Sequence, residues 1–246
     1  MNIEEWEERG LVSPSDMNSF LPPIGCPLKW KLKKEGRGGI PVDRGRAMLG
    51  SNIHHMIKTY FQHISDKPSE AEIKRIAENV YEEGFNKGQL SGLKKRAERC
   101  WKNFVAFELN RRKTWKVYKP DVIEEKLSGA GFIGIIDFHS NRQATTIDWK
   151  SGNLNQLGDE QLRQGKVYKI LLENNGHKTG RVLFSALYTG RILEMPLVTD
   201  GWVERERNKM VTMVRKRQLT KSPGRLCDKW CPYLLECEMS GVCLWV

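Results

Sequence analysis

The chain has 246 residues with 41 Lys and Arg against 30 Asp and Glu, a net charge of +11 and a pI near 9.4. That length can bury a full core and sits near the upper end for one domain, and no apolar run of about 18 residues or more suggests a membrane span. The acidic start, Met1 to Gly10, is unlike a signal peptide, so a cytoplasmic setting is expected, and the basic excess favours a polyanionic partner, of which nucleic acid is the commonest.

Residues 15–21 predict a short capped helix halted by Pro22-Pro23. Cys26-Pro27 follows; a lone cysteine near an amino terminus reads as a small buried hydrophobe. Gly36 to Gly39 is a basic loop. From about 44 to 64, Ile53, Met56, Ile57, Tyr60, Phe61 and Ile64 recur at helical spacing and define one buried face. His54 falls on the edge of that face and can lean into a site, although a boundary histidine is the simpler reading, while His55 points away. Helical patterns over 69–85 and 91–115 follow. The second sets Lys94, Lys95, Arg96, Arg99, Lys102, Arg111, Arg112 and Lys113 around an apolar stripe of Leu93, Ala97, Trp101 and Phe104. The stripe is core, the basic surface suits a nucleic-acid backbone, and Cys100 is inert packing.

Strands are predicted over 121–128, 131–139 and 144–150, because Ile and Thr fit a pleated surface. Gly152 to Gly158 reads as a loop, and Asp159 as the cap of a helix to Glu173. Residues 179–189 and 191–198 form a hairpin joined at Gly190, and a basic helix covers 201–219. There are no internal repeats and no phosphate-binding G-x-x-x-x-G-K-[ST] loop.

The chemistry gathers in residues 131–150. One apolar run, from Phe132, ends on Asp137; Asn141-Arg142-Gln143 supply a turn, and a second run ends on Asp148-Trp149-Lys150. A bare D-x-K arises about once by chance in a chain of this composition. Here, however, it ends a strand, so Asp148 and Lys150 share a side, and Asp137 can reach the same end of the hairpin. Two carboxylates on neighbouring strands with an ammonium nearby suit a hard divalent cation and the phosphate it carries. Gln164 and Tyr168 then lie one helical turn apart on the next helix.

In order and spacing, Gly50-x-x-x-His54, Asp137, Asp148-x-Lys150 and Gln164-x-x-x-Tyr168 resemble the motifs of RecB-type nucleases of the PD-(D/E)xK superfamily, and the resemblance selects His54 over His55. Gly165, where the family's glutamine motif usually has an apolar residue, and Ser151-Gly152 after the lysine depart from the pattern without removing a reactive group. The implied fold is α/β (α+β): a restriction-endonuclease-like core, a central mixed sheet flanked by helices, a helical cap and a C-terminal iron-sulphur segment. It is expected as one domain over 1–246, made of an N-terminal segment (1–43), a helical region (44–118), a catalytic sheet core (119–200) and a C-terminal helix with cysteines (201–246).

Cys227, Cys231, Cys237 and Cys243 are spaced as metal or cluster ligands, and zinc held by these four is one reading. The resemblance adds Cys26. Iron-sulphur members of the RecB type, including the CRISPR-associated Cas-four family, hold a 4Fe-4S cluster with one cysteine before the core and three after it. Cys26, Cys227, Cys231 and Cys237 are similar to that layout, with C-x-x-x-C in place of the usual C-x-x-C and Cys243 in reserve.

The resemblance implies a DNA exonuclease using Mg²⁺ or Mn²⁺ on single-stranded DNA or DNA ends. Asp137 and Asp148 would bind the ions, with the Trp149 carbonyl and His54 completing the shell. Lys150 would orient or help deprotonate water, and Gln164 and Tyr168 would position the strand. CRISPR adaptation, phage recombination and repair are the settings it suggests, with protein partners or oligomers from those systems. The alternatives are a DNA-integration or repair accessory protein with a vestigial site, and a zinc-stabilised structural protein.

Overall fold

The structure is a computed structural model that describes residues 3–22, 25–37, 45–85, 93–115, 118–196 and 201–220, with 222, 231, 233 and 237. Five strands form one mixed sheet whose spatial order equals chain order: β1 (Val122–Gly129), β2 (Phe132–Ser140), β3 (Thr145–Lys150), β4 (Arg181–Ala186) and β5 (Arg191–Glu194). Every neighbouring pair is antiparallel except β3 and β4, which are parallel. That parallel pair needs a crossover, supplied by helix α7 (Asp159–Asn174). The expected mixed sheet flanked by helices is what the chain forms.

Helices α4 (Gly45–His63), α5 (Glu70–Phe85) and α6 (Lys94–Thr114) cover one face. All six apolar residues expected on the α4 stripe are buried there, against Phe104 of α6 and Phe138, Ile147, Trp149 and Leu183 of the sheet. This layer also buries an ion pair. Arg111 Nη2 lies 2.6 Å from Glu108 Oε2, Arg111 Nη1 donates to the Tyr118 carbonyl at 2.6 Å, and the guanidinium sits among the rings of Phe61, Trp115, Tyr118 and Phe138. A buried charge is tolerated where its hydrogen bonds are satisfied in this way.

The other face carries α7 together with both ends of the chain: α1 (Ile3–Arg9), α2 (Pro14–Phe20), α3 (Pro27–Lys34) and α8 (Trp202–Arg215). Neither α1 nor α3 is among the elements the sequence predicts. Cys26 and Pro27 do not merely follow a helix; Cys26 is the N-cap residue of α3 and Pro27 its first helical residue, where the missing N–H costs nothing. Trp6, Phe20 and Trp30 pack edge to face, and Trp30 Nε1 donates to Asp16 Oδ1 at 3.0 Å. Arg207 of α8 donates to the carbonyls of Gly131 and Gly10, at 2.9 and 2.8 Å, tying both ends to the β1–β2 turn.

Two sequence expectations shift. Asp159 is the first residue of α7 rather than its cap; the Gly158 N–H donates to Gln161 Oε1 at 3.0 Å and closes the helix start. Asp137 does not end its strand, because the β2–β3 ladder continues beyond it through Phe138↔Ile147, His139↔Thr146 and Ser140↔Thr145. Asp137 and Asp148 nevertheless both stand at the open end of that hairpin, away from the turn.

Gly165 also gains a reason. A Cβ added there would lie 2.5 Å from Met195 Sδ and 3.3 Å from Val182 Cγ1, so Met195 fills the space a larger residue would occupy between α7 and β4.

Candidate active site

The site grows from an irregular rung in the β1–β2 ladder. Ile123 pairs with Phe138 and Glu125 with Ile136, which sets Glu124 opposite Asp137, yet that pair is missing from the ladder and Glu124 has φ +44°. At the same point β2 changes face: Phe132 and Ile136 belong to the core under α7, Phe138 to the core under α4. Non-glycine residues hold such a conformation only where their surroundings impose it, and functional sites are a common place.

The break aims Glu124 at α4. His54 Nδ1 lies 2.6 Å from Glu124 Oε1 and 3.6 Å from Asp137 Oδ2, and His54 Nε2 lies 2.9 Å from the Trp149 carbonyl oxygen. Both ring nitrogens therefore meet acceptors, a pattern only the imidazolium satisfies. Burial opposes that charge, but Asp137 and Glu124 outweigh it and push the His54 pKa up to about 9. Among the described residues, His54, Glu124 and Asp137 form the one group whose ligand atoms converge as a metal site requires.

The donor set fits a hard divalent ion. Glu124 and Asp137 present carboxylate oxygens to one small volume beside His54 Nδ1, the Trp149 carbonyl meets the other ring nitrogen, and His54 offers a ligand nitrogen once its proton is displaced. Asp137 is buried, also accepts the Trp149 N–H at 2.9 Å, and has its pKa raised well above the carboxylate range by burial and by the neighbouring Asp148. Clustered carboxylates that repel one another are stabilised by a bound cation.

Asp148 lies behind this group, fully buried. Its Oδ2 is 2.8 Å from Lys150 Nζ, and its Oδ1 accepts Gln164 Nε2 at 2.7 Å and the Tyr168 hydroxyl at 3.4 Å. Gln164 Oε1 in turn accepts from Lys150 at 2.8 Å. Burial works against the Lys150 charge, but Asp148 prevails and raises its pKa above 10.5, so the lysine is held as an ammonium. The Tyr168 hydroxyl is buried and held neutral, its pKa raised by burial and by Asp137 and Asp148.

The structure thus brings His54, Asp137, Asp148, Trp149, Lys150, Gln164 and Tyr168 into one contact network, with Glu124 added. Of these, His54, Glu124, Asp137, Gln164 and Tyr168 line a cleft of about 900 Å³, lined also by Lys33, Lys58, Lys126 and the exposed Ile135. Cys26, Cys231 and Cys237 are half-buried; Cys227 and Cys243 lie outside the described residues. No helix among the described residues is long and apolar enough to cross a membrane.

A helix-flanked mixed sheet whose adjacent strands carry acids and a lysine is the architecture of a metal-dependent nuclease. Residues 12–243 match the family model of the PD-(D/E)XK nuclease superfamily, and the chain belongs to that superfamily. No curated protein matches the chain.

Proposed function

We propose that the protein is a Mg²⁺- or Mn²⁺-dependent deoxyribonuclease, formed by one domain, that acts as an exonuclease on single-stranded DNA or DNA ends. The observation that carries this reading is the convergence of Glu124, Asp137 and the Trp149 carbonyl on His54 beside the Asp148–Lys150 pair. His54, Glu124, Asp137, Asp148 and the Trp149 carbonyl would hold the ions. When bound, the metal polarises the phosphoryl oxygens and makes its water more acidic. Lys150, fixed as an ammonium, suits orienting the attacking water and offsetting negative charge on the phosphate better than removing a proton. Gln164 and Tyr168 contact Asp148 directly, and Gln164 also contacts Lys150, so they would orient the acid and the lysine. The basic rim of the cleft supports a polyanionic strand as substrate.

We further assign the chain to the RecB-type branch with a 4Fe-4S cluster on Cys26, Cys227, Cys231 and Cys237. The motif order and the split cysteines support this, and they favour a role in CRISPR adaptation, recombination or repair.

Asp148→Ala and Lys150→Ala should each lower degradation of single-stranded DNA with Mn²⁺ by about 100-fold or more, since metal ligand and lysine act as a unit. Undiminished cleavage by either variant overturns the assignment, and a wild-type protein that binds DNA without cutting it establishes the accessory reading instead.

A further inference from the structure

A second cavity, of about 400 Å³, opens where the chain leaves the catalytic strand. Its walls are Ser151, Gly152 and Asn153, which directly follow Lys150, together with Arg46 at the start of α4, Arg96 on α6, and Tyr188 from the β4–β5 turn. Among the described residues, no acidic side chain lines it.

The arginines are set for an anion. Arg96 lies with its guanidinium carbon 4.1 Å from the centre of the Tyr188 ring, and its Nε and Nη2 donate to the Ser151 carbonyl at 3.4 and 3.3 Å. Arg99 stands over the same ring at 4.8 Å. These contacts orient the guanidinium groups without neutralising them, since neither a ring face nor a carbonyl carries a full negative charge. Arg46 is exposed and has no hydrogen-bond or ion-pair partner among the described residues. With Tyr188 engaged by two arginines, the cavity suits an oxyanion better than a stacked base. The Ser151 hydroxyl and Asn153 amide add neutral donors.

Position joins this cavity to the nuclease site. Gly50, one turn along α4 from Arg46, lines the catalytic cleft, and a Cβ added to it would lie 3.3 Å from Ser151 Oγ. The Gly50–Ser151 contact therefore brings a wall of one space against a wall of the other.

We propose that the Arg46–Arg96 cavity binds a terminal phosphate of the DNA strand being cut. A terminal monoester carries nearly two negative charges, against one on an internal diester, and three chargeable oxygens matched to guanidinium forks. The proposal rests on the nuclease reading and adds recognition of a strand end to it.

The test uses one single-stranded oligonucleotide with a 5′-phosphate, a 3′-phosphate, or hydroxyls at both ends, digested with Mn²⁺ by the wild type and by Arg46→Ala. The wild type should cleave one phosphate-ended form with kcat/KM about tenfold above the hydroxyl-ended form, and Arg46→Ala should bring that ratio near one. Which phosphate is favoured identifies the end that occupies the cavity. Equal rates on all three substrates, or a ratio that persists in Arg46→Ala, overturns the proposal. If the wild type cuts nothing, the nuclease reading fails on its own, and fluorescence anisotropy of the same three oligonucleotides decides the cavity. Tighter binding of a phosphate-ended form that is lost in Arg46→Ala supports it, and equal binding refutes it.

Discussion

Glu124 is the residue that sequence reading missed and the structure places nearest His54, 2.6 Å from the imidazole. In the sequence it is one of two consecutive glutamates on a strand, which looks like a solvated edge. Its role depends on a positive φ and on being opposite Asp137, and neither leaves a local trace. Pairing the predicted first strand with the second and asking which acid faces Asp137 would have been the one available signal. His54, Asp137, Asp148, Lys150, Gln164 and Tyr168 were legible because their spacing is a pattern; Glu124 is legible only through register. The raised pKa of His54 gives a prediction at this scale. Below about 9 the imidazole holds a proton that ligation of a metal must displace, so Mn²⁺ affinity should fall as pH falls from 9 towards 6.5. Calorimetry in buffers of different ionisation enthalpy should show proton release on Mn²⁺ binding near neutral pH, and His54→Ala should release about one proton fewer. Binding with no proton release would remove His54 from the ligand set.

At the scale of elements, the strongly periodic helices were readable to within a few residues, because α4 and α6 bury regular stripes. The short helices α1 and α3 were not, because seven or eight residues give too little periodicity and their stability comes from Trp6 and Trp30 packing on α2 and its neighbours. Asp137 shows that the end of an apolar run is not the end of a strand: a carboxylate after five apolar residues looks like an exit, yet here it is buried inside a strand that runs on to Ser140, close to the predicted span of 131–139. Gly165 shows the opposite case, where an apparent departure from a motif is a packing choice made with β4. Replacing Gly165 with Leu should cost about 1–3 kcal/mol through overpacking, and adding Met195→Ala should recover much of it. Urea melts of the single and double variants measure this, and equal costs in both backgrounds would show that Met195 is not the residue filling the gap.

For the molecule as a whole, composition and motifs foretold a nuclease architecture, but not how the two ends of the chain are joined. Among the described residues that union is made by Arg207 on Gly10 and Gly131, by Arg217 on Glu7 at 3.2 Å, and by the buried Arg163, which bonds Glu206, Asn18 and the Pro22 carbonyl. A cluster on Cys26 and the late cysteines would reinforce the same union rather than create it. Anaerobically purified protein should therefore show a broad visible absorption that Cys26→Ser removes, with a lower melting temperature but a folded chain. A colourless protein containing stoichiometric zinc would replace the cluster with the zinc reading.

The order of the strands has a consequence for how the molecule reaches this state. Since β1, β2 and β3 are consecutive neighbours, local hairpins gather Glu124, Asp137 and Asp148 as soon as they form. The histidine that offsets the charge arrives from α4, 70 residues before Glu124. The carboxylates can therefore meet locally, with Lys150 of β3 offsetting Asp148, before the long loop closure that brings His54 to Glu124 and Asp137. A divalent cation present during refolding would relieve repulsion between the carboxylates before the closure, so the ion that serves the chemistry would also ease the folding of the strands that bind it.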